Sequence, residues 1–257
     1  MNFNGKVVLV TGSTTGIGEA CARGFAGAGA SVMLTGRNES RGRKVLDAIR
    51  ANGCDADLVV GNVTDDGFCD RLVDKTVSRF GRLDVLVNNA GVLHAGDVTN
   101  TTDKVWDETF GTNVTALFRM SRAAVRQMRK QSGGSIVNIA SEWGLNGETG
   151  YVAYCASKGA VVQMTRCMGL DHAAENIRVN AVCPGEVHTV MVDEMLKASG
   201  STPEALAAGI PMRRLAKPSE VANCVMFLAS DLAAYITGTN LSVDGGNDAS
   251  AGAYPPG

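Results

Sequence analysis

Short apolar segments alternate along the whole chain with longer amphipathic segments. The apolar segments are rich in Val, Ile and Leu and lack polar alternation, which is typical of strands buried on both faces. Seven strands are predicted, at Lys6–Thr11, Ser31–Thr35, Asp57–Val60, Leu83–Val87, Ser135–Ile139, Ile177–Val182 and Asn240–Val243. Helices are predicted between them, at Gly16–Ala28, Asn38–Asn52, Asp66–Phe80, Asp103–Lys130, Tyr151–Glu175 and Pro218–Ser230.

This alternation of strands and helices indicates an α/β fold. Its spacing predicts right-handed crossovers and a single doubly wound, Rossmann-type parallel sheet of about seven strands with helices on both faces. No linker, repeat or break in composition divides the chain, so one domain over residues 1–257 is predicted. Residues 190–211 mix helix formers with Gly, Ser, Thr and Pro and are expected to form a substrate lid. The small, polar tail 245–257 is expected to be frayed or held by a neighbouring subunit.

Composition excludes several classes of partner. The formal charge of -2 and the 5% aromatic content argue against binding to nucleic acid. No apolar run approaches the roughly 20 residues that cross a bilayer, and the amino terminus lacks a signal-peptide pattern. The seven cysteines form neither C-x-x-C pairs nor metal-ligand spacing with histidine, so no metal site is predicted. These features predict a cytoplasmic protein with a small-molecule substrate.

A glycine-rich loop, Thr11–Gly18 (TGSTTGIG), lies between the first strand and the first helix. Glycines let the main chain turn sharply and approach a pyrophosphate, and a helix amino terminus offers free N–H groups to an anion. The spacing is G-x-x-x-G-x-G, which differs from the G-x-G-x-x-G of the standard dinucleotide fingerprint. Its position at the first strand of a doubly wound sheet favours a nucleotide site.

The end of the second strand bears on which nicotinamide cofactor binds. NAD sites place Asp or Glu there for the ribose hydroxyl, whereas an arginine accommodates the phosphate of NADP. Here Arg37 follows Thr35-Gly36, and the first acid is Glu39. NADP is therefore favoured, with NAD as the alternative, because the glycine loop itself has no basic residue.

Further motifs complete an ordered set along the chain. Asn88-Asn89-Ala90-Gly91 follows the fourth strand, Asn113 lies in a helix, and Ser141 follows the fifth strand. Tyr154 and Lys158 are four residues apart in a predicted helix and hence share one face. With the glycine loop and Pro184-Gly185, this set resembles the classical short-chain dehydrogenase/reductase family over nearly the whole chain.

The resemblance implies four catalytic residues. Tyr154 would exchange the proton with the substrate oxygen, and Ser141 would hydrogen-bond that oxygen. Lys158 would lower the pKa of the tyrosine and hold the cofactor ribose, and Asn113 would position a water on the proton path. An ammonium near a phenol favours the phenolate, so the tyrosine–lysine pair suits general acid–base catalysis.

The resemblance also implies binding residues. The cofactor would contact Gly12, Ser13, Thr15, Gly16, Ile17, Gly18, Arg37, Asn62, Val63, Asn89, Ala90, Gly91, Tyr154, Lys158, Pro184, Gly185, Val187 and Thr189. Asn62 stands where the family usually has Asp, a change that keeps a hydrogen-bond acceptor. The substrate would contact Ser141, Glu142, Trp143, Tyr154, Glu186 and His188. Further candidates are His94, Asn146, Tyr151, Met191, Met195 and Leu206.

These residues leave the substrate open. The polar and acidic candidates suit a sugar or polyol, while the apolar ones suit an acyl or steroid-like ketone. The predicted function is hydride transfer between a nicotinamide cofactor and a secondary alcohol or ketone. Alternatives are a 3-oxoacyl-carrier-protein-type or steroid ketoreductase and, from another class, a non-enzymatic cofactor-sensing regulator on the same fold. The resemblance further implies a homotetramer.

Overall fold

The computed structural model describes residues 1–131 and 133–250. Its centre is one parallel sheet of seven strands in the order β3-β2-β1-β4-β5-β6-β7. The strands are β1 (Val7–Thr11), β2 (Ser31–Gly36), β3 (Ala56–Val60), β4 (Val85–Asn88), β5 (Gly134–Ile139), β6 (Ile177–Pro184) and β7 (Asn240–Val243). The predicted fold class is confirmed. Strand order reverses between β1 and β4, which opens a crevice at the carboxyl ends of these strands.

Helices connect the strands and cover both faces of the sheet. They are α1 (Gly16–Gly27), α2 (Glu39–Ala51), α3 (Phe68–Phe80), α4 (Asp103–Phe110), α5 (Leu117–Lys130), α6 (Val152–Asp171), α7 (Val190–Ser199), α8 (Pro203–Ala208), α9 (Pro218–Ala229) and α10 (Asn247–Ser250). In the described part of the chain, no helix combines the length and apolar character needed to cross a membrane.

Successive residues of β1 enter two different parts of the core. Val8 and Val10 pack in the cluster that contains Phe25 of α1 and Val225 of α9. Leu9, between them, belongs to the cluster on the opposite face, with residues of α3 and α5. Because successive side chains of a strand point to opposite faces, an unbroken apolar strand is stable only between two helical layers.

The long helix predicted over Asp103–Lys130 is interrupted. Between α4 and α5 the chain makes a π-helical turn, Gly111–Ala116, that contains Asn113. The Asn113 side chain bonds both main-chain groups of Val92, accepting from its N–H at 2.9 Å and donating to its carbonyl at 3.0 Å. Such turns insert one extra residue into a helix and occur frequently at functional sites. The spacing of apolar residues along the sequence gives no signal for this inserted residue.

Three further segments add detail to the predicted elements. The helix predicted to run to Glu175 ends at Asp171 and continues as a short 3₁₀ turn. Residues 190–211 contain α7 and α8, so this segment is largely helical. The described part of the tail, residues 245–250, is held by its own chain: Asp248 accepts hydrogen bonds from Asn146 at 2.7 Å and Ser242 at 3.0 Å. Whether a neighbouring subunit also contacts this tail stays a prediction, and 251–257 lie outside the described residues.

Candidate active site

A cavity of about 340 Å³ opens where the strands end. Loops after β1 to β6 line it together with α6 and α7. The predicted cofactor residues on its wall are Gly12, Thr15, Gly16, Ile17, Arg37, Asn62, Val63, Asn89, Ala90, Gly91, Tyr154, Lys158, Pro184, Gly185, Val187 and Thr189. The cavity thus gathers residues from positions 12 to 195 of the chain.

The glycine loop lies tightly against the loop that follows β4. Gly12 has a φ of +63°, and a Cβ there would lie 3.0 Å from the Cα of Ala90. The hydroxyl of Thr11 accepts hydrogen bonds from the main-chain N–H groups of Asn89 (2.9 Å) and Ala90 (3.1 Å). The Asn89 amide donates back to the carbonyl of Gly12 at 3.0 Å. The two loops are therefore one interlocked wall of the cavity.

The amino terminus of α1 is open toward the cavity. Thr15 occupies the N-cap position without a side-chain hydrogen bond to the helix, so the first N–H groups remain available to an anion. Gly16, with a φ of +58°, lets the chain enter the helix from this loop. These features fit the pyrophosphate of a dinucleotide.

Two predicted cofactor residues support the loop from behind, off the cavity lining. The buried Ser13 hydroxyl accepts a hydrogen bond from the N–H of Thr35 at 2.9 Å, which fastens the loop to β2. Gly18 lies in the first turn of α1, where an added Cβ would overlap the Gly12 carbonyl and the Asn89 amide. Both residues shape the loop, and neither is on the wall.

The end of the cavity beside β2 carries two exposed arginines, Arg37 and Arg41. Asn38 caps α2 by accepting a hydrogen bond from the N–H of Arg41 at 2.9 Å. The carboxylate of Glu39 accepts from Arg43 at 2.6 Å and lies off the cavity wall. This end of the cavity is therefore cationic.

Lys158 is buried in α6, with 5% of its surface exposed. Its Nζ donates a hydrogen bond to the carbonyl of Ile139 at 2.8 Å and lies 5.6 Å from the ring centre of Tyr154. Burial lowers the pKa of Lys158 to about 8. Gly144 allows the turn after Ser141 to pack on α6, since a Cβ would lie 2.7 Å from the main chain of Lys158.

Tyr154 lies beside Ser141 on the cavity wall. Burial raises the pKa of Tyr154 above its usual value, and a hydrogen bond with Ser141 opposes that rise. The charges of Glu186 and Glu142 add to this rise, and the expected lowering of the pKa by Lys158 stays a prediction. The ring of Trp143 meets that of Tyr154 edge-on, with centres 5.9 Å apart.

Asn113 lies behind this group and does not line the cavity. Only 1% of its surface is exposed, and its amide donates to the hydroxyl of Ser157 at 3.0 Å, next to Lys158. Gly91 passes close by: a Cβ there would lie 3.3 Å from Asn113 Oδ1 and 3.7 Å from Lys158 Nζ. Asn113 therefore joins the π-helical turn to α6.

The predicted substrate residues divide into two groups. Those on the cavity wall are Ser141, Glu142, Trp143, Tyr154, Glu186, Met191 and Met195. Those away from the wall are His94, Asn146, Tyr151, Leu206 and His188. The exposed ring of His188 lies 3.7 Å from Asp193. The wall therefore carries both the acidic and the apolar candidates.

Sequence reasoning missed several wall residues. They include Thr14, Gly36, Arg41, Gly61, Leu93, Thr112, Ile139 and Ala140. Gly36, Gly61 and Ile139 lie at strand ends, so the rule that ligands bind at the carboxyl ends of parallel strands could have found them. Asn247 of α10 was also missed: its amide lies 3.4 Å from Glu142 Oε1, and no motif signals it.

Comparisons with known proteins agree with this geometry. A family profile described as "Enoyl-(Acyl carrier protein) reductase" matches residues 12–248. Cyclopentanol dehydrogenase of Comamonas sp. is 42% identical over 95% of this chain and 97% of its own. The 2,3-dihydro-2,3-dihydroxybenzoate dehydrogenase of Bacillus subtilis is 37% identical over 95% and 96%, respectively.

Solved structures give the same result. A crystal structure of an actinorhodin polyketide ketoreductase variant with NADPH has a TM-score of 0.91 and 37% identity, covering 94% of this chain and 96% of that one. These relatives are oxidoreductases that act on alcohol or carbonyl groups. The cavity at the carboxyl ends of the strands suits a nicotinamide cofactor. The chain belongs to the classical short-chain dehydrogenase/reductase family and is a nicotinamide-dependent oxidoreductase.

Proposed function

We propose that this protein interconverts a secondary alcohol and a ketone, with Tyr154 as the general acid–base and NADP as the preferred coenzyme. One observation carries the proposal: Tyr154, Ser141 and Lys158 meet on the wall of the cavity whose other end holds the glycine loop. A bound nicotinamide would supply or accept the hydride. The chain itself then needs only to hold the substrate oxygen and move its proton.

Each catalytic side chain has a distinct task in this proposal. The Tyr154 phenol exchanges a proton with the substrate oxygen, and the Ser141 hydroxyl hydrogen-bonds that oxygen. The Lys158 ammonium, 5.6 Å from the ring centre of Tyr154, favours the phenolate, whereas burial of Tyr154 raises its pKa. Asn113, fixed in the π-helical turn, would position a water that relays the proton. The Asn113 amide bonds both main-chain groups of Val92, which supports the view that Asn113 acts by fixing the main chain beside the site.

The cationic end of the cavity supports the preference for NADP. Arg37 and Arg41 make no ion pair with any carboxylate of residues 1–131 or 133–250. The nearest acid in sequence, Glu39, is engaged by Arg43. A phosphate on the adenosine ribose would therefore meet two available guanidinium groups and no opposing carboxylate.

The remaining parts of the proposal concern the surroundings of the site. Residues 190–211 act as a lid, since Val190, Met191 and Met195 of α7 line the cavity. Exposed aromatic side chains on α4 and α5, Trp106 and Phe118, support assembly into a homotetramer through these helices. All seven cysteines are free, which suits a reducing, cytoplasmic setting.

The test is turnover of a substrate panel by the wild type and by Tyr154→Phe. The panel holds cyclopentanol, polyols, aldoses, hydroxy steroids and 3-oxoacyl thioesters, each run with NADP and NAD and followed by nicotinamide absorbance. The variant is expected to lose at least about a hundredfold in kcat/KM, because proton transfer contributes that much. Tyr235→Phe, at a fully exposed tyrosine, is the matched control. Unchanged turnover in Tyr154→Phe would refute the proposal.

A further inference from the structure

Two carboxyl groups face the same end of the cavity. Glu142 directly follows Ser141, and Glu186 follows Gly185 at the end of β6. Both line the cavity together with Tyr154. They are close enough for the charge on Glu186 to act on Glu142. The substrate oxygen held by Tyr154 and Ser141 therefore has an acidic neighbourhood.

Glu142 is fixed in place and incompletely satisfied. Only 6% of its surface is exposed, and its carbonyl accepts hydrogen bonds from Leu145 and Asn146, both at 2.9 Å, which fixes the turn. Its Oε1 lies 3.4 Å from the Asn247 amide, but its buried Oε2 has no hydrogen-bond partner among the described residues. A buried polar atom without a partner is costly, so such an atom on a cavity wall points to a ligand group.

Room for this oxygen comes from Gly185. A Cβ there would lie 3.1 Å from Glu142 Oε2 and 2.9 Å from the Cα of Asp244. The carbonyl of the next residue, Glu186, accepts a hydrogen bond from the N–H of Ala216 at 2.9 Å, beside a β-bridge between Val187 and Ala216. Main-chain hydrogen bonds thus hold the carbonyl groups of both Glu142 and Glu186.

We propose that Glu142 and Glu186 together bind a second hydroxyl group of the substrate, so that this enzyme acts on a diol or polyol. The inference rests on the proposed function, because Tyr154 and Ser141 must hold the reacting oxygen. A hydroxyl both donates and accepts, so it can donate to one carboxyl group and accept from the other when that group carries a proton.

The protonation state of Glu142 and Glu186 favours a neutral hydroxyl group over a cation as their ligand. Burial and the neighbouring carboxylates raise the pKa of Glu142 to about 8, and burial with Glu148 raises that of Glu186 to about 7. Near neutral pH the pair of carboxyl groups therefore still carries a proton, and an ammonium group could form an ion pair there only if that proton were lost. A metal ion is also disfavoured, since the described residues contain no group of three or more potential metal ligands.

The decisive measurement compares cyclopentane-1,2-diol with cyclopentanol, which differ by one hydroxyl. The wild type is expected to prefer the diol in kcat/KM by roughly tenfold or more, since an unmet buried acceptor penalises the simple alcohol. Glu142→Leu should bring the ratio close to one, and Glu142→Gln should keep part of it, because an amide still donates and accepts. Glu186→Gln serves as a second variant should the leucine variant not fold.

Glu204→Gln is the matched control, since Glu204 is exposed, lies off the cavity wall and is not among the charges that act on Glu142 or Glu186. A wild-type ratio near one would overturn the inference, and so would tighter use of 2-aminocyclopentanol than of the diol. Loss of cyclopentanol turnover in Tyr154→Phe would still uphold the proposed function, which separates the two outcomes. If neither alcohol is turned over, calorimetric Kd values with NADP present give the same ratio and the same decision.

Discussion

Lys158 and Ile139 are joined by a 2.8 Å hydrogen bond from the buried ammonium to the main-chain carbonyl. Ile139 is the last residue of β5, so the sheet itself holds the lysine in the cavity wall. This bond satisfies one of the three ammonium protons, and burial lowers the pKa of Lys158 to about 8. Burial of this charged lysine therefore lowers the stability of the fold, as is common for functional groups.

The first prediction follows from that cost. Lys158→Met should raise the free energy of unfolding by about 1–3 kcal/mol at pH 7, because it removes a buried charge and keeps a similar side-chain volume. Its activity should fall at least about a hundredfold. The stability gain should shrink as pH rises from about 8 toward 10.5, where the unfolded lysine also loses its proton. Urea unfolding at pH 7 and 10 measures both effects, and a destabilised variant would contradict the prediction.

The second prediction concerns the coenzyme. Arg37→Ala should lower kcat/KM with NADP by roughly 10- to 100-fold while leaving the value with NAD nearly unchanged, because one charge-assisted phosphate contact is lost. Adding Arg41→Ala should deepen the loss. Arg43→Ala, whose side chain pairs with Glu39, is the control and should affect neither coenzyme. Equal losses of kcat/KM with both coenzymes would show that Arg37 supports the loop and does not bind the phosphate of NADP.

The third prediction compares two glycines of α1. Gly18→Ala should destabilise the fold by about 2 kcal/mol and abolish cofactor binding, since its Cβ would overlap the Gly12 carbonyl. Gly27→Ala meets no atom within 4 Å and should be neutral or stabilise by about 0.5–1 kcal/mol. Thermal unfolding and a coenzyme titration by fluorescence test the pair. Similar effects of both changes would contradict the proposed packing of the glycine loop.

The fourth prediction concerns pH and Glu142. Its pKa is about 8 in the folded chain against a usual 4.5, chiefly through burial and then the charge of Glu186, with Asp244 and Glu148 adding to the rise. The stability contributed by the protonated form is complete below pH 4.5 and is lost as pH rises toward 8. Glu142→Gln removes this loss, so its stability relative to wild type should rise by about 4 kcal/mol between pH 4.5 and 8.

Denaturant unfolding at several pH values between 4.5 and 8 measures this change. Glu204→Gln, which removes an exposed carboxyl group that does not act on Glu142, provides the reference. A difference between Glu142→Gln and wild type that does not vary with pH would mean that the Glu142 carboxyl keeps a similar pKa in both states.

The sheet was predictable because each strand carries its own evidence. Val8, Leu9 and Val10 are apolar in succession, which only a strand covered on both faces tolerates. The glycine loop and the tyrosine–lysine pair were predictable because their chemistry depends on local spacing. The hydrogen bond between Lys158 and Ile139 could not be predicted in the same way. It joins residues 19 positions apart, and no local sequence pattern contains such a contact.

The features that were missed depend on three-dimensional neighbours. The π-helical turn at Asn113 is stabilised by contacts to Val92, 21 residues earlier. The raised pKa of Tyr154 follows from burial, which the sequence does not quantify. Asn247 reaches Glu142 across 105 positions and belongs to a segment that reads as a polar tail. Long-range contacts of single polar side chains leave no periodic signal in a sequence.

The contact between Asn247 and Glu142 has a consequence for how selectivity can change. The Glu142 carboxyl group, which is proposed to bind the second hydroxyl, is contacted by Asn247, and Asn247 follows β7, outside the crossovers that build the sheet. Substitutions in this stretch can therefore alter which alcohol is accepted while the predicted coenzyme-binding residues, at positions 12 to 189, stay unchanged. A library confined to residues 244–248 is a direct route to new substrate preferences.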